Sequence, residues 1–167
     1  MKIIRCTKKL IKELGVDPEE NICAESWLES WHANSFTIDG EKCVIITNDA
    51  TLYTLFLCGL RREDFQNFSF IVNEYFFKSL MTDGLSQPLI EKALAVGDDV
   101  VFTGSTDKAV MGSTHYFRQR IERICETNGG FENCCSLEIQ KAINRTPIKA
   151  INYQYPVENF FERLNNE

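Results

Sequence analysis

The sequence predicts an α+β fold, with an antiparallel meander sheet of about four to five strands and helices packed on one face. Three observations carry this expectation. Two apolar, β-branched runs, Asn34 to Ile38 and Lys42 to Asn48, flank Asp39-Gly40, a pair that favours a two-residue hairpin turn. A third run, Thr51 to Cys58, follows a turn at Asn48-Asp49. Beyond Cys58 apolar residues recur mostly at helical spacing, and strands followed by helices indicate α+β.

Each element has its own signal. Ile3 to Cys6 reads as a short first strand. Thr7 is placed to cap a helix through Leu14, with Leu10, Ile11 and Leu14 on one face and Gly15 to end it. Asp17-Pro18 lies in a loop. Ser26-x-x-Glu29 has capping-box spacing and opens a turn carrying Trp27 and Trp31. After the three central strands, Phe65, Phe68, Val72, Tyr75 and Phe76 form an apolar stripe on a helix that Gly84 stops. Pro88 stands at a helix start, followed by Leu89, Ile90, Ala93 and Leu94 up to Gly97. Asp99 to Thr103 is a further strand. A longer helix is predicted from Lys108 to Thr127, capped by Thr106 or Asp107, burying Val110, Phe117, Ile121 and Ile124. Asn128-Gly129-Gly130 stops it. Leu137 to Ile143 and Val157 to Leu164 complete the helices, with a short apolar run, Ile148 to Tyr153, between Pro147 and Pro156.

The chain has 167 residues, and residues 1–167 read as a single domain with no repeat or linker. A chain of this size buries about 70% of its unfolded surface, enough for a core without metal or disulfide staples. The net charge is −6, which repels phosphate backbones and makes a nucleic-acid partner unfavourable. Lys8, Lys9 and Lys12 interrupt any signal-peptide apolar segment, and the longest apolar stretch, around Leu52 to Leu60, is far short of a membrane span. A cytoplasmic location without membrane contact is expected. The seven cysteines are odd in number and include no C-x-x-C pair, so neither a zinc site nor a disulfide framework is expected. Cys6, Cys43 and Cys58 lie in apolar runs as small core residues. Nothing in the sequence calls for a cofactor or a metal.

Four blocks carry a family resemblance. They are Ile4-Arg5-Cys6-Thr7-Lys8-Lys9-Leu10, Trp31-His32-Ala33-Asn34-Ser35-Phe36-Thr37-Ile38-Asp39, Thr47-Asn48-Asp49-Ala50-Thr51-Leu52-Tyr53 and Asp107-Lys108-Ala109-Val110-Met111-Gly112-Ser113. Together they resemble a small uncharacterised bacterial domain family of unknown function, across most of the chain. In that family the Gly-Ser pair is followed by Met-Asn-Asp, whereas Thr114-His115-Tyr116 stands here. Chemistry carried by that segment would be changed or lost in this chain. The resemblance implies a bacterial or phage source and no particular activity.

The chemistry-bearing candidates are sparse. His115, Ser113 and His32 are the candidate catalytic residues. His115 falls on the polar side of the long helix near Glu122, where a solvated surface histidine is the plainer explanation, and His32 lies between a Trp-rich turn and the hairpin. Arg5, Thr7, Lys8, Asn34 and Asn48 are the candidate binding residues, polar positions within the family-like blocks. Asp98-Asp99 and Asp107-Lys108 lack the order of a nuclease site, and Asp107 is better explained as a cap. Gly104-Ser105-Thr106 could bind an anion at a helix start, but a turn explains it equally. Cys134-Cys135 is a loop pair with no cation beside it to activate a thiolate. The basic opening of Arg5, Lys8, Lys9 and Lys12, and Arg118, Arg120 and Arg123 interleaved with Glu122 and Glu126, read as solvated faces.

No nucleophile–base pair, metal set or phosphate loop stands at recognisable spacing. A non-enzymatic interaction or regulatory module is therefore the leading expectation, with a protein partner or a homodimer meeting an aromatic surface. The first alternative is an enzyme acting on a small ligand, with Arg5, Thr7, Asn34, Asn48, Ser113 and His115 gathered at one end of the sheet. The second is a nucleic-acid or toxin–antitoxin accessory protein using the basic opening.

Overall fold

The computed structural model describes residues 1–104 and 108–166. Its elements alternate between strand and helix at the two sheet margins. They are β1 (Lys2–Cys6), α1 (Lys8–Leu14), β2 (Ser30–Ile38), β3 (Glu41–Asn48), β4 (Thr54–Leu57), α2 (Arg62–Gln66), α3 (Phe68–Thr82), α4 (Gln87–Leu94), β5 (Val100–Gly104), α5 (Lys108–Thr127), α6 (Ser136–Asn144) and α7 (Pro156–Asn166). The expected caps on Asp107 or Thr106, the Gly104-Ser105-Thr106 anion turn and the Val110 side chain lie outside the described residues.

The strands form one sheet in the order β4-β3-β2-β1-β5. The meander β2-β3-β4 is antiparallel, as expected. Its hairpin turns at Asp39 and Gly40, both left-handed at φ 50° and 85°, as a type I′ turn requires. The whole sheet is mixed rather than an antiparallel meander, because β1 pairs in parallel with both β2 and β5. The cause lies in the connections. A chain leaving β1 into a helix cannot make a hairpin, and a long crossover returns it parallel. β2 also begins four residues before the expected Asn34, taking His32 into the sheet.

The expectation of helices on one face is corrected too. One core joins Ile4, Trp31, Val44, Ile46 and Leu55 to Leu10 of α1, Phe76 of α3, Ile90 of α4 and Phe160 of α7. A second, on the opposite face, joins Phe36, Ile45 and Phe56 to Phe117 and Ile121 of α5 and to Ile139 and Ile143 of α6. The physical reason is visible in β3. Val44-Ile45-Ile46 is an unbroken apolar run, buried throughout, which a strand exposed on one side would not carry.

The outer edge of β4 is closed by side chains. The Asn144 amide accepts from the Thr54 N–H and donates to the Thr54 carbonyl, both at 2.8 Å. Gln140 accepts from the Phe56 N–H at 2.9 Å and donates to Ser79 Oγ at 2.6 Å. Two carboxamides of α6 thus stand where a further strand would pair, and they remove an edge open to association.

Candidate functional site

Register places a polar row across the sheet face that α5 and α6 cover. Arg5 pairs with Thr103 on β5 and with His32 on β2. His32 pairs with Thr47, and Thr47 with Thr54. These positions lie two residues from Ile45 and Phe56, so alternation puts them on the same face as the second core. The row is where that core stops being apolar.

At the row's outer side Asp49 gathers the charged groups. Ser30 Oγ donates to Asp49 Oδ2 at 2.6 Å, and Arg5 donates to the same oxygen at 3.1 Å. Arg5 also donates to Ser30 Oγ at 2.6 Å. His32 Nδ1 lies 2.5 Å from Asp49 Oδ1. An ionised carboxylate only accepts, so Nδ1 carries a proton, and in the neutral form of the ring the lone pair is then on Nε2. His32 is 1% exposed, and its Nε2 has no hydrogen-bond partner among the described residues. Leaving such a group buried and unpaired costs about 1–3 kcal/mol. At the row's other side Thr7 Oγ1, which caps α1 by accepting from the Leu10 N–H, donates to Asn34 Oδ1 at 3.4 Å.

The nominated residues divide accordingly. Arg5, Thr7, His32 and Asn34 come together on this face. Asn48 pairs with Trp31 and belongs to the opposite face, where its buried amide bonds the Trp27 and Ser30 carbonyls and holds the turn at Ala50 and Thr51. Lys8 opens α1 and is exposed. Ser113 and its neighbour Thr114 are buried on α5. The C-terminal end of α5 lies at the hairpin, where the Phe131 N–H donates to Asp39 Oδ2 at 2.9 Å, and Phe117 and Ile121 pack on the strands behind it. The helix therefore leads from the hairpin back towards the polar row. His115 is exposed on that helix, its Nε2 3.2 Å from the Gln119 amide nitrogen, and it takes no part in the row. A cleft of about 340 Å³ opens beside Ser113, between Tyr116, Lys149 and Tyr153. Among the described residues no three His, Cys, Asp or Glu side chains are placed to hold a metal ion. No described helix is long and apolar enough to cross a membrane.

Sequence reasoning missed Asp49 and Ser30. The missing signal was the hairpin register. Carried back from Asp39-Gly40 through Trp31 opposite Asn48, it sets Ser30 beside Asp49, whose N–H donates to the Ser30 carbonyl at 3.0 Å.

No curated protein and no solved structure matches the chain. Residues 3–159 match a family described as a domain of unknown function, DUF6933. That match takes in both sheet margins, α5 and the whole polar row, and the chain belongs to this family.

Proposed function

We propose that the protein binds a small polar molecule at the Arg5–His32–Asp49 cluster, where His32 Nε2 accepts a proton or a hydrogen bond from the ligand. The observation that carries this is the buried Nε2, without a partner among the described residues, on a ring that Asp49 orients. A carboxylate that fixes one nitrogen of an imidazole leaves the other as a directed base, the arrangement used in general acid–base chemistry. Arg5 beside it favours a ligand with an anionic or carbonyl oxygen. Because His32 is buried, a ligand reaches Nε2 only by displacing part of what covers it. The free cysteines fit a cytosolic setting.

Native mass spectrometry of protein purified gently from its host tests this. A discrete small-molecule adduct is expected on the wild type and lost in His32→Gln, while His115→Gln keeps it. An adduct retained in His32→Gln contradicts the assignment.

A protein-binding role rests on a different observation. Phe70, Phe77 and Met81 are 70%, 44% and 57% exposed on α3 and fall at spacings of seven and four residues, hence along one stripe. Sedimentation that shows a dimer for the wild type and a monomer for Phe70→Ser/Phe77→Ser supports it. A strict monomer counts against it.

A further inference from the structure

One side of α5 carries two adjoining cavities. Ser113, Tyr116, Arg120 and Arg123 follow one another at spacings of three, four and three residues, so they share that side of the helix. The first cavity is the cleft of about 340 Å³ between Tyr116, Tyr153 and Lys149, walled by Pro147 and Ile148. The second, of about 130 Å³, lies against Tyr116, Arg120 and Arg123. Tyr116 lines both, so they meet across its ring. The two cavities differ in chemistry. The first is aromatic and largely apolar, with the Tyr116 and Tyr153 side chains 39% and 66% exposed. The second is cationic. Arg118, on the other side of α5, is paired with Glu122 at 2.8 Å, whereas Arg120 and Arg123 enter no ion pair among the described residues. The Arg120 Nε is buried and has no hydrogen-bond partner among them. In a chain of net charge −6, Lys149, Arg120 and Arg123 line these cavities and no carboxylate does.

We propose that this side of α5 binds a planar heterocycle bearing a phosphate, of mononucleotide size. The heterocycle enters the cleft and stacks on Tyr116 and Tyr153, a contact open to any base because every base has a π-face. The phosphate lies on Arg120 and Arg123, whose planar forks match its oxygens. The volume of the cleft suits a small ligand. The backbone under Tyr153 supports the assignment. Asn152 and Tyr153 are both left-handed, at φ 55° and 62°, a conformation that costs an aromatic residue about 1–2 kcal/mol. The turn is closed by the Tyr153 N–H, which donates to the Ile148 carbonyl at 2.9 Å, and by the Ile148 N–H, which donates to Gln154 at 3.2 Å. The chain thus holds an exposed ring at the mouth of the cleft against its own preference, as binding sites do. None of these residues belongs to the Arg5–His32–Asp49 cluster, and the site is a second one.

Titration of the tyrosine-labelled protein with adenosine and uridine monophosphates, followed in proton–carbon spectra of the rings, tests this. Of the five tyrosines, Tyr116 and Tyr153 are expected to shift and saturate, and the buried Tyr53 to stay in place. Adenosine alone and inorganic phosphate alone are expected to bind about ten-fold or more weakly than adenosine monophosphate. Arg123→Gln, at an exposed position, raises the dissociation constant of the monophosphate about ten-fold and leaves that of adenosine unchanged. Tyr153→Gly removes the ring while relieving the backbone, and weakens the monophosphate and adenosine alike, about five-fold or more. The proposal is overturned if millimolar amounts of neither monophosphate move Tyr116 or Tyr153. It is overturned equally if Arg123→Gln or Tyr153→Gly binds the monophosphate as the wild type does, or if phosphate alone binds as tightly as the monophosphate.

Discussion

Asp49 holds three groups at once: the Ser30 hydroxyl, the Arg5 guanidinium and the His32 ring. Removing its charge while keeping its shape leaves two buried or half-buried donors poorly satisfied. Asp49→Asn is expected to lower stability by about 1–3 kcal/mol, measured by urea unfolding. A change under about 0.5 kcal/mol would show the network to be incidental. At this scale the sequence was only partly legible. Arg5, Thr7 and Asn34 were nominated as polar residues in family-like blocks and do share one face. His32 was nominated but placed before the strand rather than in it. Asp49 was read as turn chemistry, because its role depends on a pairing seventeen residues away. His115 and Asn48 show the converse. Both are polar residues of promising type, and one is spent on the surface of its own helix and the other on a turn.

Elements fared better, because their signals are local. Thr7 caps α1, the Asp39-Gly40 pair turns the hairpin, and Pro88 stands in the first turn of α4, each as its chemistry dictates. Gly40→Ala puts a side chain at φ 85° and is expected to cost about 1–2 kcal/mol in urea unfolding. The lock of α6 on β4 was not legible. Asn144 and Gln140 look like ordinary helix positions, and only the fold shows that they satisfy an edge strand. Asn144→Leu strands the N–H and C=O of Thr54 without partners, and a loss of roughly 2–4 kcal/mol is expected. The same variant should aggregate faster on mild heating, followed by light scattering, since its edge is open. Stability and solubility equal to the wild type would contradict this account of the edge.

For the whole molecule, fold class was legible and layering was not. The α+β composition and the meander follow from runs and turns. The parallel β1 and β5, and helices on both faces, depend on where two crossovers dock. The unbroken Val44-Ile45-Ile46 run was the available clue to a sheet buried on both sides. The two cores also bury thiols, which sets a pH dependence. Burial raises Cys6 and Cys43 from 9.0 to about 12. Above pH 9 the unfolded chain releases these protons while the folded chain keeps them, so stability is complete below pH 9 and falls as pH rises towards 12. Each thiol contributes a slope of about 1.4 kcal/mol per pH unit in that window. Lys2 acts with the opposite sign. Burial lowers its ammonium below 10.5, which offsets one proton's worth just beneath that value. Urea midpoints are expected to fall between pH 9 and 11, with a shallower slope in Cys43→Ala. An equal slope in the two proteins would contradict the assignment.

The central claim is that Asp49 fixes the His32 ring with Nε2 bare. Long-range proton–nitrogen correlation spectra of the histidine-labelled protein near pH 7.5 test it most directly, with His115→Gln used to assign the signals. The account predicts a neutral ring protonated at Nδ1, a lone pair on Nε2, and loss of that single tautomer in Asp49→Asn. A proton found on Nε2 in the wild type would contradict it.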